Sequence, residues 1–514
     1  VKYDDIVIGG GSSGAVIAAR LSEDPNRQVL LIEAGPDYAT LEATPDSIRN
    51  FHRPPLDHDW GLEAEMVPGR NFYYPRGRVI GGSSATNAVL ALRGLPEDYD
   101  VWAAMGNDEW NWKSLLPEFQ RIEDDPTKDQ SYHGSGGPIP IWRRSEDELT
   151  PSQAAFLNAI TDLGFPRTDD HNAPDATGAG PGPANVKDGV RISAALAYLN
   201  DARSRPNLTI RGGLLANRVL IEDGRAVGVE VRDQVGNAER IYAGRTTVCA
   251  GSIGSPAILL RSGIGDQDEL AELGIPVAQH LPGVGRNLIE HAHIGLNLAA
   301  VEGPGDGTKP MWQVVLQWTA PGSSHRNDMQ CLMLHAVAQP AHRLMMNLML
   351  PRSRGTVRLA SADAAVAPKI ALNLATDPED VSRLVAGLEV LTKLAQSPRL
   401  APHHSGSVYL DTGVEIPVGE IAEYFADRAT AEKYIADSVT HYVHPVGTAR
   451  MGPASSPHAV VDQHCRVHGI AALRVADASV MPDIPRANTN LTCLVIGERV
   501  AQWIRAEDRV AVGS

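Results

Sequence analysis

Four cysteines in 514 residues, Cys249, Cys331, Cys465 and Cys493, none in C-x-x-C spacing, give no basis for a zinc ribbon or thioredoxin chemistry. So sparse a set fits a reducing compartment. A chain of this length can bury enough apolar surface to fold without disulfide or metal staples. No uncharged apolar run approaches the ~20 residues of a membrane span. Basic residues number 46 against 62 acidic ones, a formal charge of −16. That balance argues against a nucleic-acid scaffold or an anionic-membrane binder. Val1-Lys2-Tyr3 leads straight into an apolar strand, with no charged leader or cleavage site, so a soluble cytoplasmic protein is expected. Charged residues at 21% and hydrophobic ones at 43% are an ordinary globular balance, neither disordered nor fibrous.

Glycine is what the chain has in excess, and several of its 48 glycines cluster in short motifs. An apolar run from Asp4 to Ile8 ends in Gly9-Gly10-Gly11-Ser12-Ser13-Gly14. A helical pattern follows over Ala15–Leu21, then a strand over Gln28–Ile32 that ends at Glu33. Further helices are predicted at Glu97–Met105, Trp112–Glu123 and Ser152–Leu163. A Gly/Pro/Asn/Asp-rich stretch, 169–189, reads as a long connection where the chain crosses between domains. Strands are predicted at Asn217–Ile221, Ala226–Arg232 and Glu239–Cys249, joined by turns at Asp223-Gly224 and Gly236-Asn237. More strands follow at Met329–Val337, Leu344–Leu350 and Gly355–Leu359, then helices at Asp380–Leu394, Val418–Val439 and Asn490–Ile504. The Met- and Leu-rich strands suit either core packing or an apolar pocket. No internal repeat is visible. The fold class expected is α/β, α+β overall: a nucleotide-binding domain interrupted by a second domain built around a β-sheet.

Gly9, Gly11 and Gly14 stand at GxGxxG spacing. The first glycine makes the tight turn, the second lets a pyrophosphate approach the backbone, and the third permits close packing at the helix N-terminus. Glu33, at the end of the second strand, is placed to accept ribose hydroxyls. The same run satisfies GxSxG, but a hydrolase elbow needs an oxyanion loop from an earlier strand, and fewer than ten residues precede it. Arg76-Gly77-Arg78-Val79-Ile80-Gly81-Gly82-Ser83-Ser84-Ala85-Thr86-Asn87 offers backbone N–H groups and hydroxyls for a flat polar ligand, or is a surface loop. In Gly251–Gly265 a Ser255-Pro256 start and a closing glycine read as a capped helix. His441 and His444 are three apart, but Pro445 and Gly447 break any helix, and no carboxylate or thiolate stands close by in sequence. No metal site is expected there. His291, His293, His403 and His404 read as packing or surface histidines. His444 lies in a fixed loop that could aim an imidazole.

Taken together these blocks resemble the glucose–methanol–choline (GMC) family of FAD-dependent oxidoreductases, in the right order over nearly the whole chain. They are Gly9–Gly14 with Glu33-Ala34-Gly35, Arg78–Ser84, Gly251–Gly265, Pro282–Leu288, His444–Gly452, and Val475–Pro482 followed by Asn490. The resemblance implies a Rossmann-like FAD-binding domain over 1–150, 190–290 and 436–514. A substrate domain with a mainly antiparallel sheet would take 151–189 and 291–435. It implies FAD held by Gly9, Gly11, Ser13 and Gly14, with Glu33 and Ala34 at the ribose. Val79, Gly82, Asn87, Ala88, Val89 and Leu90 would line flavin and pyrophosphate, and the Val219 backbone would meet the adenine. Asp477, Ala478 and Leu491 would close over the flavin. Some relatives attach FAD through a histidine where Thr86 stands here, so non-covalent FAD is expected.

The resemblance implies catalysis by His444 with Asn490 as its partner on the substrate oxygen. The match looks closest to hydroxymethylfurfural oxidase and choline oxidase or dehydrogenase-like members, which leans toward an uncharged primary alcohol, aromatic or aliphatic. On this reading a neutral His444 takes the hydroxyl proton while hydride leaves for flavin N5, giving the aldehyde, with oxygen or another acceptor taking the electrons. Two other readings stay open: a hydroxynitrile-lyase-type enzyme that keeps FAD as structure, and a nicotinamide-dependent dehydrogenase.

Overall fold

The computed structural model describes residues 3–301, 310–335 and 340–513. A seven-stranded sheet is built first by the N-terminal unit. Tyr3–Ile8 pairs in parallel with Val29–Ile32 on one side and with Ala238–Val248 on the other. Leu208–Arg211 extends the parallel part beyond Val29–Ile32, and Leu473–Val475 pairs with the end of Ala238–Val248. Helix Ser12–Leu21 crosses between the first two strands, with Val16, Ile17 and Leu21 wholly buried. The antiparallel hairpins 215–222, 225–232 and 238–248 complete the sheet. Their first turn is the predicted one, with Asp223 and Gly224 at φ of 47° and 72°, the left-handed pair that a two-residue hairpin requires.

The second sheet has eight strands, all antiparallel. In order it runs Glu415–Pro417, His404–Tyr409, Ala292–Ala300, Ala341–Leu348, Met329–His335, Val314–Trp318 and Gly178–Pro181, with Thr440–His441 added beside Ala292. One face packs on helix Pro378–Ala395. Met329, Cys331, Leu344 and Met346 lie there with Leu384, Leu388 and Leu391. Gly387 lets this helix settle on the sheet, since a Cβ there would stand 2.5 Å from Met346. The other face carries Val315, Leu332 and Met345 into a smaller cluster with Val89, Leu90 and Ala487. The Met- and Leu-rich strands therefore feed two apolar clusters, one on each face, by simple alternation.

Three expectations are corrected. The connection 169–189 contains an edge strand of the large sheet, Gly178–Pro181. The helix predicted over Val418–Val439 is broken: Ile421–Tyr424 ends, and Arg428–Ser438 starts anew with Asp427 capping the Thr430 N–H. Helix Gly251–Arg261 starts four residues before Ser255, with Pro256 inside it. The proline has no N–H to donate to the Ser252 carbonyl, and the Thr448 hydroxyl donates to that carbonyl instead, at 2.7 Å. Val337 and part of the strand predicted around it lie outside the described residues.

Candidate active site

The first glycine turn and the acid at the end of the second strand form one unit. Both oxygens of Glu33 are used: Gly10 N–H donates to Oε2 and Gly35 N–H to Oε1, each at 2.9 Å. Burial raises the Glu33 pKa, against the pull of these N–H groups. Gly14 packs so closely that a Cβ would lie 1.9 Å from the Gly9 carbonyl oxygen. Ser13 turns inward and donates to the Cys493 carbonyl. Gly11 precedes helix Ser12–Leu21, and no side chain caps that helix end. Its first N–H groups and positive dipole end are thus the kind of anion cradle a pyrophosphate uses.

The second loop folds against the first. Gly81 N–H donates to the Gly10 carbonyl at 2.8 Å, and a Cβ on Gly82 would stand 2.7 Å from the Gly11 Cα. A side chain at either glycine would fill the space between the loops, so the residues fit a dinucleotide there. Val79 is buried, and its carbonyl accepts the Gly82 N–H. Asn87–Leu90 is pinned from several sides. The Asn87 side chain accepts the Val89 N–H, Arg191 holds the Asn87 carbonyl, and Trp312 Nε1 donates to the Ala88 carbonyl. Val89 sits at φ 56°. For a β-branched residue that costs about 1–3 kcal/mol, and such strain collects at functional sites.

On the opposite side, the loop that carries His444 is fixed through its backbone. The peptide joining Val443 to His444 is held at both ends: Arg76 donates to its carbonyl, and its N–H donates to Glu290 Oε1, each at 2.7 Å. Val443 is the second strained valine, at φ 62°. Val446 and Ile289 exchange backbone bonds, and Ser252 Oγ donates to the Pro445 carbonyl. Glu290 Oε2 also accepts the Tyr74 hydroxyl. Burial pushes the Glu290 pKa up to about 7, despite the opposing charge of Arg76.

His444 is aimed by two side chains. Its Nδ1 lies 3.0 Å from Nδ1 of His291, and its Nε2 lies 3.1 Å from Nδ2 of Asn488. The carboxamide nitrogen donates to Nε2, which therefore carries a lone pair. The proton of His444 then sits on Nδ1 and is given to His291. The His291 ring, wholly buried, also lies beside the Met349 and Pro485 carbonyls, so its own proton belongs on Nε2. Neither carbonyl meets Nε2 at full hydrogen-bond geometry. Burial drives the His444 pKa well below 6.5, aided by His291 and Arg76, and it lowers His291 to about 3. Both rings are neutral, and the site presents an unprotonated imidazole nitrogen.

The structure gives Asn490 a different partner. The Asn490 Oδ1 accepts the Ser12 hydroxyl at 2.7 Å, which ties the first residue of the C-terminal helix to the glycine turn. Asn488 stands beside the imidazole instead. The two asparagines flank Thr489, and only the start of the helix distinguishes them; its phase turns Asn490 toward the first helix. Val219 donates its N–H to Ser262 Oγ, so that N–H is not free for an adenine. Asp477 fastens other elements, accepting Gly251 N–H and Ser255 Oγ on one oxygen and Ser479 N–H on the other. The Ala478 carbonyl accepts the Gly447 N–H. Leu491 shares a core cluster with Phe119 and Ile122, and Ala34 lies half-buried between Glu33 and Gly35. His291 is corrected from a packing residue to a direct partner of His444. Tyr74 and Glu290 were not singled out in the sequence, and Arg76 only as the start of a loop, because Arg76 and Glu290 act on a backbone far away in the chain and Tyr74 acts through Glu290.

Two family models, each described as GMC oxidoreductase, match residues 3–293 and 351–497. The chain is 35% identical to the 5-(hydroxymethyl)furfural oxidase of Methylovorus sp. (strain MP688), over 98% of each chain. It is 33% identical to oxygen-dependent choline dehydrogenase 1 of Chromohalobacter salexigens, over 99% of this chain and 95% of that one. Its fold is similar to the crystal structure of pyridoxine 4-oxidase from Mesorbium loti, with a TM-score of 0.88 and 32% identity over 98% and 99% of the two chains. With these likenesses running the length of the glycine turn, the pinned loops and the buried imidazole, the chain belongs to the GMC oxidoreductase family and is an FAD-dependent enzyme of the alcohol oxidase or dehydrogenase type.

Proposed function

We propose that the enzyme oxidises an uncharged primary alcohol to its aldehyde, with His444 as the base. The observation that carries this is the bare Nε2 of a buried, neutral His444 facing the Asn488 amide. A substrate hydroxyl that displaces the Asn488 N–H from Nε2 gives its proton to that nitrogen and accepts from the freed N–H. That bond strengthens as negative charge develops on the oxygen. Asn488 thus takes the role first expected of Asn490. His291 keeps the other His444 proton on Nδ1 and accepts from it while the ring is charged. Bound FAD supplies the hydride acceptor.

Glu33, Gly11 and Gly82 are the residues we infer hold the FAD, within a discontinuous unit over 1–150, 190–290 and 436–514. Attachment is non-covalent on this reading, because Thr86 offers no ring nitrogen. The final electron acceptor is oxygen or another oxidant. All four cysteines are buried and free, which supports a reducing, cytoplasmic compartment. Among the described residues no helix is long and apolar enough to cross a membrane. The test is anaerobic mixing of the yellow enzyme with a panel of alcohols. Bleaching of the flavin with one aldehyde formed per flavin supports the reading; unchanged colour across the panel contradicts it.

A further inference from the structure

The face of the eight-stranded sheet that meets Val89 and Leu90 is apolar at Leu332 and Met345, but polar one step along each strand. His293, Asn347, Gln330 and Gln317 stand directly opposite one another on four neighbouring strands and form one row. All four are buried, Gln330 and Asn347 completely. Gln330 Oε1 accepts the Tyr442 hydroxyl at 3.0 Å and the Asn347 amide at 3.5 Å. Gln330 Nε2 and Asn347 Oδ1 are left without a hydrogen-bond partner among the described residues. Two adjacent buried amide atoms in that condition are costly, at a place where an apolar residue would fit the sheet better.

Tyr442 joins this row to the catalytic pair. Its ring lies 4.5 Å from that of His444, centre to centre, while its hydroxyl reaches Gln330. The Asn488 side chain lies alongside that hydroxyl. Tyr442 thus spans from the His444 imidazole to the row.

We propose that Gln330 and Asn347 form a remote subsite that selects alcohols bearing a second, uncharged group able both to donate and to accept a hydrogen bond. The chemistry is insensitive to how the two amides are turned. If Gln330 Oε1 holds Asn347, the unpaired atoms are a donor on Gln330 and an acceptor on Asn347. If both are reversed, the unpaired atoms are an acceptor on Gln330 and a donor on Asn347. A hydroxyl satisfies either arrangement. A cation meets no carboxylate in the row, and burial keeps His293 neutral, so an anion finds no counter-charge from it.

This inference rests on the alcohol-oxidation reading above, and its test separates the two. The probes are 1,4-benzenedimethanol, its isostere 4-methylbenzyl alcohol, and 4-(aminomethyl)benzyl alcohol. Rates of anaerobic flavin reduction are measured on the oxidised holoenzyme, and affinities by calorimetry on the reduced holoenzyme, which cannot oxidise the probes. The diol is expected to exceed the methyl compound in kcat/KM by on the order of 100-fold or more, as buried polar groups reject an analogue that leaves them unpaired. The amine should fare no better than the methyl compound. In Gln330→Leu, and separately in the milder Asn347→Ser, the preference should shrink at least tenfold, with flavin content retained. Equal rates and equal affinities for diol and methyl compound in the wild type overturn the subsite. So does a loss in the variants that falls equally on both probes. Failure of every alcohol to bleach the flavin contradicts the oxidation reading, and the affinities on reduced enzyme still decide the subsite.

Discussion

His291 and His444 meet nitrogen to nitrogen, Nδ1 to Nδ1 at 3.0 Å, in a buried pair of rings. Such a contact needs one proton and one lone pair, so each ring fixes the tautomer of the other. With carbonyls behind His291 and an amide nitrogen in front of His444, the proton lies on His444 Nδ1 and Nε2 is bare. The base is made by its neighbours rather than by imidazole chemistry alone.

His291→Leu therefore removes the acceptor that holds this tautomer. Flavin reduction should slow by one to two orders of magnitude, matching about 1–3 kcal/mol for a buried donor left unpaired. FAD content should stay normal. His291→Asn keeps an acceptor oxygen near the same place and should recover most of the rate. Stopped-flow reduction of the three proteins checks this; equal slowing in both variants would make His291 a packing residue.

The two asparagines separate cleanly. Asn488→Ala should cost about 2.7–4 kcal/mol in the barrier to flavin reduction, the usual range for a preorganised donor in a dry site. Asn490→Ala loses the bond from Ser12 and should lower thermal stability or FAD affinity while the holoenzyme reduces at nearly the wild-type rate. Reduction rates and melting temperatures of both variants decide the matter. The opposite pattern restores Asn490 as the catalytic partner.

Depression of the His444 pKa well below 6.5 has a definite sign in kinetics. A base with a lowered pKa stays deprotonated as pH falls, and activity is lost only when pH passes through the lowered value. In Glu290→Gln, which removes the adjoining carboxyl held at about 7, the rate of flavin reduction should be level from about pH 9 to about pH 6.5, the ordinary imidazole value. An inflection near 6.5 in the reduction rate would show an unperturbed base.

Away from the site, His133 lies between Asp170 Oδ2 at 2.8 Å and Glu123 Oε2 at 3.0 Å. Asp125 stands close enough for the trio of Glu123, Asp125 and His133 to suit a metal, but Arg93 and Arg143 already pair with the two acids. Burial opposes a charge on His133, and its hydrogen bonds to Asp170 and Glu123 outweigh that, raising its pKa. Asp170 is correspondingly held at about 2, against its own burial, by His133 and Arg143. A raised histidine stabilises fully below its unfolded pKa, and the contribution disappears as pH rises through the folded value. Asp170 keeps its side of the pair until pH falls toward about 2. The melting temperature of His133→Gln should thus lie furthest below wild type near pH 5 and approach it by pH 9. A gap that does not change with pH would show a neutral histidine.

Thr86 ends the short helix of the second glycine loop and lies half-buried. Because it carries no nucleophilic ring nitrogen, acid precipitation should release all the flavin into the supernatant. Yellow colour in the pellet would establish a covalent link through some other residue.

Much of the fold was legible because it follows local rules. The GxGxxG turn, the acid closing the next strand, and Asp223-Gly224 each follow from what a backbone position requires. The break at Phe425–Asp427 was hidden by continuous helical spacing, since Asp427 reads equally as a surface residue or a cap. The start of helix Gly251–Arg261 was missed because the carbonyl that Pro256 leaves unbonded is satisfied by Thr448, 196 residues away in sequence. Within the site, His444 could be picked out by its loop. Its partners could not: Glu290, Arg76 and His291 reach it only through folding, and the choice between Asn488 and Asn490 depends on where one helix begins.

The central claim is that His444 takes the substrate proton, and single-turnover flavin reduction by His444→Ala tests it most directly. The variant keeps every residue assigned to FAD and should purify yellow, with the wild-type flavin content. Anaerobic reduction by a good alcohol substrate should fall by roughly 10²–10⁴, the share usual for general-base catalysis. Reduction at the wild-type rate in a fully flavinated His444→Ala protein would contradict the account.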